Sequence, residues 1–219
     1  MKLLKQRFKF LLIFLFISCI SNAQIIDDIG INGGISISDI KEESNLTLIQ
    51  EYNPSFTFSP SIFFISGLKE NISIVSEFGF LKKGGLRYFS LVADGVDDYT
   101  PVNYTVKRYY HFITTSFKLK YTIDKNNLFL YGAIGPRFDI YIANFDYVNT
   151  LNIGLNTSIG FGYRIGRFAV QTEFTKLLNF NKLADCTYTD GDIVKVTDNT
   201  MLLTIGVSYK IKNSENINE

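Results

Sequence analysis

The sequence predicts an all-β protein: an eight-stranded, up-and-down, antiparallel barrel that crosses a membrane with its strands. Three observations carry this. The first is Leu151–Arg164, whose odd positions read Leu, Ile, Leu, Thr, Ile, Phe, Tyr and whose even positions read Asn, Gly, Asn, Ser, Gly, Gly, Arg. Period two puts one set on each face of a strand. A soluble strand averages about 5–6 residues; this one alternates for more than twice that length. Its polar face is small, as a wall between lipid and a cramped polar lumen requires. The second observation is that seven more segments alternate in the same way. The third is that the links between them are long and short in turn.

Taken in order, the first strand spans about 28–38, with Ile29, Ile31, Gly33, Ile35 and Ile37 outward and Gly30, Asn32, Gly34, Ser36 and Ser38 inward. The second, about 55–66, turns Phe56, Phe58, Pro60, Ile62 and Phe64 outward. Pro60 has no N–H for a closed ladder, which predicts a bulge or local irregularity there. The third, about 71–82, has Ile72, Ile74, Ser76, Phe78 and Phe80 out against Ser73, Val75, Glu77 and Gly79. The fourth, about 106–122, sets Ile113, Thr115, Phe117, Leu119 and Tyr121 against Thr114, Ser116, Lys118 and Lys120. The fifth, about 128–142, is clean in its later half: Ile134, Phe138, Ile140 and Ile142 out, Gly135, Arg137, Asp139 and Tyr141 in. The sixth is the opening example. The seventh, about 167–178, has Phe168, Val170, Thr172 and Phe174 out and Ala169, Gln171, Glu173 and Thr175 in. The eighth, about 200–211, has Leu203, Ile205, Val207, Tyr209 and Ile211 out and Thr204, Gly206, Ser208 and Lys210 in.

The longer links fall at about 39–54, 83–105, 143–150 and 179–199, and the tight ones at about 67–70, 123–127 and 165–166. Outer-membrane barrels pair long external loops with short periplasmic turns, so both chain ends are expected in the periplasm. Tyr88, Phe89, Tyr99, Tyr104, Tyr109 and Tyr110 gather where the third and fourth strands leave the bilayer, as an interfacial girdle does.

Residues 1–23 read as a signal peptide: Lys2, Lys5, Arg7 and Lys9, then the apolar run Phe10–Ile20, then Ser21-Asn22-Ala23 before a cleavage site. The run is too short for a spanning helix, which needs about 20 residues. An uncleaved anchor and a lipoprotein site at Cys19 are the competing readings. The box Phe16-Ile17-Ser18 before Cys19 lacks the usual Leu. The barrel domain is then 24–211, and 212–219 is a polar tail.

The whole chain carries 22 Lys and Arg against 21 Asp and Glu. Removing the four basic residues of the leader leaves 18 against 21, about −3, which argues against a nucleic-acid partner. Cys186 would be the one mature cysteine, so neither an intrachain disulfide nor a cysteine-rich metal site is expected. No cofactor is expected. The membrane itself is the expected partner, with an envelope or secretion protein as a further one.

The order of four short motifs resembles the PorT-like outer-membrane β-barrel family common in Bacteroidetes. They are Gly30-Ile31-Asn32-Gly33-Gly34-Ile35-Ser36-Ile37-Ser38, Ser76-Glu77-Phe78-Gly79-Phe80-Leu81-Lys82-Lys83-Gly84-Gly85, Gly132-Ala133-Ile134-Gly135-Pro136 and Gly160-Phe161-Gly162-Tyr163. The resemblance covers the whole mature chain. It implies an exported eight-stranded barrel, implies no single activity, and raises a role in assisting secretion. The chain departs from a common barrel ending by continuing past Ile211 without a terminal aromatic.

Inward parity collects a charged set: Glu77, Asp139 and Glu173 against Lys118, Lys120, Arg137, Arg164 and Lys210. An eight-stranded barrel is just wide enough for its own side chains, and isolated ions inside are costly. The set is therefore read as a salt-bridge plug. The alternative is a narrow, anion-favouring path lined by the same groups.

His111 is the single histidine. Parity turns it outward near the external girdle with no serine motif beside it, so a girdle residue is favoured over a lipid-modifying catalyst. Asp94, Asp97 and Asp98 in one loop, and Asp185 to Asp192 in another, lack EF-hand spacing and read as solvated loop rather than calcium site. Cys186 reads as an exposed or semi-exposed thiol, with a mixed disulfide to a partner as the alternative. The paired glycines precede no helix, so they are not phosphate loops; inward glycines make room for large facing side chains.

The resulting expectation is a non-enzymatic outer-membrane scaffold or binding protein that acts through its outer loops or periplasmic turns. The alternatives are a small pore, a lipid-modifying enzyme using His111, a secretion-assisting barrel, or a soluble lipocalin-like barrel with its apolar face inward.

Overall fold

The computed structural model describes residues 26–44, 50–51, 53–91, 102–142, 148–187 and 193–211. The expected leader, the polar tail and the Asp94–Asp98 loop lie outside them, as do the side chains of Tyr88, Phe89, Tyr99, Tyr104 and Cys186. The strands are β1 (Asp28–Ser44), β2 (Gln50–Glu51), β3 (Asn53–Lys69), β4 (Ile72–Leu91), β5 (Val102–Lys125), β6 (Leu128–Tyr141), β7 (Leu151–Ile165), β8 (Phe168–Asn179), β9 (Ala184–Thr187) and β10 (Ile193–Lys210).

Eight of these form the wall, each antiparallel to its sequence neighbour in the order β1-β3-β4-β5-β6-β7-β8-β10. The wall closes where β1 pairs with β10, from Asp28↔Lys210 to Ser44↔Val194. Closure removes every free edge, the condition a sheet must meet to stand in lipid. The two additional strands are short: β2 extends the β1–β3 hairpin and β9 folds back on β10.

The faces are those the alternation predicts. Ile35, Phe58, Leu119, Ile134, Ile159, Phe161 and Ile205 are each at least half exposed, while Ser36, Ser116, Lys118, Arg137, Asp139 and Asn152 are buried. Apolar outside and polar inside is the reverse of a lipocalin-like barrel, so that reading is overturned. The indistinct start of the fifth strand has a steric cause. Phe129 and Tyr131 point inward there, opposite Gly162 and Gly160. A Cβ on Gly160 would lie 2.4 Å from the Tyr131 ring, and one on Gly162 2.3 Å from the Phe129 ring. The tight turns use Asn126 and Gly166, whose φ angles of 58° and 59° are left-handed, a conformation Asn and Gly adopt most readily.

Three expectations need correction. The strands run further at the loop end than their patterns suggest. β1 continues to Ser44, β4 to Leu91, β5 starts at Val102 and β10 at Ile193. Beyond the lipid both faces can be polar or apolar, so alternation fades while the ladder continues. Tyr110 is not a girdle residue: it is 2% exposed and packs inside the barrel with Leu81, Phe112, Tyr141, Leu183 and Val196. Leu183 reaches this cluster because residues 180–184 fold back over the lumen, held by Leu183 N–H to the Val196 carbonyl (2.8 Å) and Asn149 N–H to the Leu183 carbonyl (3.1 Å). Third, the long links after the first, third and seventh expected strands are shorter than the sequence suggests, because strand has taken up their ends, while the link expected at 143–150 keeps its length to within a residue.

The irregularity expected at Pro60 is present. Pairing of β3 with β4 stops after Pro54↔Gly85 and resumes at Ser61↔Gly79, leaving residues 55–60 opposite 80–84 with one extra residue on β3. Side chains replace the lost ladder. The Lys82 carbonyl accepts from Thr57 Oγ1 at 2.5 Å and Ser36 Oγ at 3.3 Å, so this backbone oxygen stays satisfied where its ladder partner is missing.

Candidate functional site

The polar lumen concentrates buried charge among the described residues, and the strands arrange it in two layers. In the inner layer Lys118 on β5 stands between two carboxylates. Its Nζ is 2.9 Å from Glu77 Oε2 on β4 and 2.8 Å from Glu173 Oε1 on β8. Each carboxylate has further donors. Tyr131 OH (2.9 Å) and Thr175 Oγ1 (2.8 Å) donate to Glu173, and Ser61 Oγ (2.6 Å) and Asn32 Nδ2 (3.4 Å) donate to Glu77. Lys120, one inward position nearer the turns, lies 3.9 Å from the Tyr131 ring centroid and 5.5 Å from that of Phe129. Aromatic faces are a fitting neighbour for a desolvated ammonium.

The outer layer is built around Asp139 on β6. Arg137 Nε lies 3.0 Å from Asp139 Oδ1 and Lys83 Nζ 3.2 Å from Oδ2; Lys83 also reaches Asp198 Oδ2 at 3.1 Å. Arg137 donates to Asn156 Oδ1 at 3.2 Å and to the Asn179 amide oxygen, and Asn179 Nδ2 donates to Asp198 Oδ1 at 2.8 Å. Thr114 and Thr200 hydroxyls complete the carboxylate shells at 2.8 Å each. The apolar cluster of Leu81, Phe112 and Leu183 sits at the same loop end of the barrel, and Lys83 lies 5.2 Å from the Phe112 ring centroid.

Of the eight charged residues the sequence singles out, the structure joins Glu77, Lys118 and Glu173 in one cluster, with Lys120 beside them, and Arg137 with Asp139 in the other. Arg164 and Lys210 stand apart at the turn-end rim. Arg164 Nη1 pairs with Asp124 Oδ1 at 2.5 Å, both about 40% exposed, and Lys210 is exposed. Lys83 and Asp198 were missed. Both continue the inward parity of their strands, Glu77-Gly79-Leu81-Lys83 and Asp198-Thr200-Leu202-Thr204, so the period extended past the apolar belt would have found them. With that exchange, Lys83, Lys118, Lys120 and Arg137 face Glu77, Asp139, Glu173 and Asp198, four charges of each sign.

Between the layers lies a cavity of about 40 Å³ lined by Ser59, Ser61, Glu77, Thr114, Arg137 and Glu173. It has room for a few water molecules, at about 10–15 Å³ for each, and not for a solute. His111 lies on the outer wall with its ring 5.7 Å from that of Phe80. Among the described residues, no cluster of His, Cys, Asp and Glu could hold a metal ion.

The family comparison agrees with a membrane barrel: residues 22–218 match the family model described as outer membrane protein beta-barrel domain. The chain belongs to that family. This places the protein in the outer membrane and makes the loop end of the barrel external and the turn end periplasmic. No curated protein matches it.

Among solved structures, the N-terminal barrel domain of Pseudomonas aeruginosa OprF is similar at 12% identity and a TM-score of 0.44, covering 85% of this chain and 98% of that one. Neisserial surface protein A is similar at 12% and 0.46, covering 84% and 97%. Ail, the attachment invasion locus protein of Yersinia pestis, is similar at 10% and 0.38, covering 84% and 100%.

Proposed function

We propose that this outer-membrane barrel is a non-conducting, non-enzymatic scaffold that meets an envelope protein partner through its external end. The observation that carries the reading is the filled lumen. Two ion-pair layers and an apolar cluster occupy successive levels, and the space between the layers is about 40 Å³. Surfaces for a partner are then on the outside.

The external extensions supply one. β5 runs from Val102 to Lys125, and its apolar outward row spans Ile113 to Ile123. The stretch 102–112 therefore stands beyond the apolar core of the bilayer. At about 3.3 Å per residue and a tilt near 40°, it rises on the order of 28 Å. A ladder of that height holds its loops at a defined distance from the membrane, which suits recognition better than transport.

The test is single-channel recording on the mature barrel in planar bilayers, with insertion verified by its heat-dependent gel mobility. Silent membranes are expected. Discrete conductance steps that change when Lys118 or Arg137 is neutralised would replace this reading with a small pore.

A further inference from the structure

The outer wall carries an arrangement that lumen and loops do not account for. On the outward faces of β4 and β5, Lys82 is registered opposite His111, Gly84 opposite Tyr109, and Leu86 opposite Lys107. Lys82 Nζ lies 4.0 Å from the Tyr109 ring centroid, and Lys107 is exposed. These groups sit immediately beyond the apolar belt, at the depth of the outer leaflet's headgroups. Among the described residues, the outward rows of β3, β4, β5 and β6 hold no carboxylate to pair with them. The outward row of β1 holds one, Asp39, two strands away from Lys82. Cations at this depth with no carboxylate on their own or the adjoining strands suit a phosphate.

Directly below them is a groove. It is lined by Ile31 and Gly33 of β1, Phe58 and Pro60 of β3, and Phe78 and Phe80 of β4, and offers about 630 Å³ of open space. That lies within the roughly 300–1,000 Å³ of small-molecule sites. Two features hollow it out: Gly33 presents no side chain, and the β3–β4 ladder is interrupted over 55–60 and 80–84. The groove and the cations are continuous. Phe80 walls the groove and its ring packs on His111, while Lys82 is two residues further along β4, about 6–7 Å. An apolar slot ending in a cluster of cations is the negative image of a phosphorylated lipid.

We propose that this quadrant of the wall is a specific site for an outer-leaflet lipid bearing a phosphate. The phosphate is held by Lys82, His111 and Lys107, and an acyl chain is seated in the groove beneath. A second hollow on the wall, lined by Leu119, Tyr121, Gly132, Ile134 and Thr157, lies toward the periplasmic end; the one outward lysine beside it, Lys176 opposite Thr157, is taken up by Asn199, so this hollow serves as the control.

The experiment is native mass spectrometry of the full mature barrel released from micelles doped with phosphatidic acid or with diacylglycerol of the same chains, so that only the phosphate differs. Wild type is expected to retain one phosphatidic acid per barrel with a preference of roughly tenfold or more over diacylglycerol, the order expected for two lysines near an anionic lipid. Millimolar inorganic phosphate should leave that lipid in place. The Lys82→Gln/Lys107→Gln pair should lose the preference. Gly33→Leu, which fills the groove, should lower retention of both lipids, and Gly132→Leu should not.

Every variant is first shown to be folded by its heat-dependent mobility. The lysine pair is on the surface and carries the test alone if Gly33→Leu does not fold. Equal retention of the two lipids would overturn the phosphate contact. Displacement by inorganic phosphate would show a free-anion site without a lipid. A Gly33→Leu barrel that binds as well as Gly132→Leu would overturn the chain-binding groove.

Discussion

Replacing Lys118 with Met tests the lumen at its most coupled point. The methylene stem stays while the ammonium goes, leaving Glu77 and Glu173 facing one another across the space it occupied. Lys118 is 2% exposed, and the two carboxylates 17% and 8%. Both therefore lose their cation in a poorly hydrated setting. Removing one partner of a buried ion pair costs about 3–5 kcal/mol. The hydroxyls of Ser61, Tyr131 and Thr175 remain on the carboxylates, and the neighbouring 40 Å³ cavity lets some water approach, so the lower half of that range is expected. With a urea m-value of about 2 kcal/mol per molar, the unfolding midpoint falls by roughly 1.5–2 M. The assay is urea titration of the barrel in lipid vesicles, read by the gel mobility shift. Adding Glu77→Gln and Glu173→Gln to the Lys118→Met barrel should restore most of the loss, because no uncompensated charge then remains. A midpoint change under about 0.5 M, or no recovery in the triple variant, would refute the view that this cluster is held by charge pairing.

Three further outcomes follow from other parts of the barrel. Gly162→Val would place a side chain 2.3 Å from the Phe129 ring and 2.5 Å from the Val170 carbonyl, and overpacking of this kind costs about 1–3 kcal/mol; the same urea titration measures it. Leu183→Asp puts a charge at a position 1% exposed on the segment folded over the lumen, so external protease should cleave near 180–184 while the mobility shift of the barrel persists. In hydrogen exchange, the amides of Phe80 and Lys82, beside the interrupted part of the β3–β4 ladder, should exchange faster than those of Ser76 and Phe78 on the same strand.

The fold was legible because lipid imposes the same demand on every outward position. From Leu151 to Arg164 no side chain breaks the period, and the register of β7 with β6 and β8 follows it residue by residue. Legibility ended where that demand ended. Glu42 and Glu43 belong to β1 and Lys195 to β10, yet in a strand beyond the bilayer a charged residue on either face costs little, and nothing in the pattern separates it from loop. Phe129 and Tyr131 point inward against the apparent rule because Gly162 and Gly160 stand opposite, a relation between two strands that no single segment displays. The lumen partners divide along the same line. Glu77 and Lys118 were readable from parity within the belt. Lys83 and Asp198 lie past its edge, and their pairing, 115 residues apart in the chain, depends on which strands face across the lumen.

The rungs between Asp28↔Lys210 and Ser44↔Val194 join the first stave of the wall with the last. Until β10 has been delivered, β1 has a raw edge along its whole length, and a nascent chain that stalls anywhere short of Lys210 is a sticky ribbon with an oily face and an unmated seam. Until that seam is mated, the chain must be kept from pairing with strangers. Once the hoop is shut, its two ends lie side by side, and the order in which the staves are strung becomes a historical accident. Joining the ends and cutting between β4 and β5 would give a chain with a different first and last strand that still has the same wall to build.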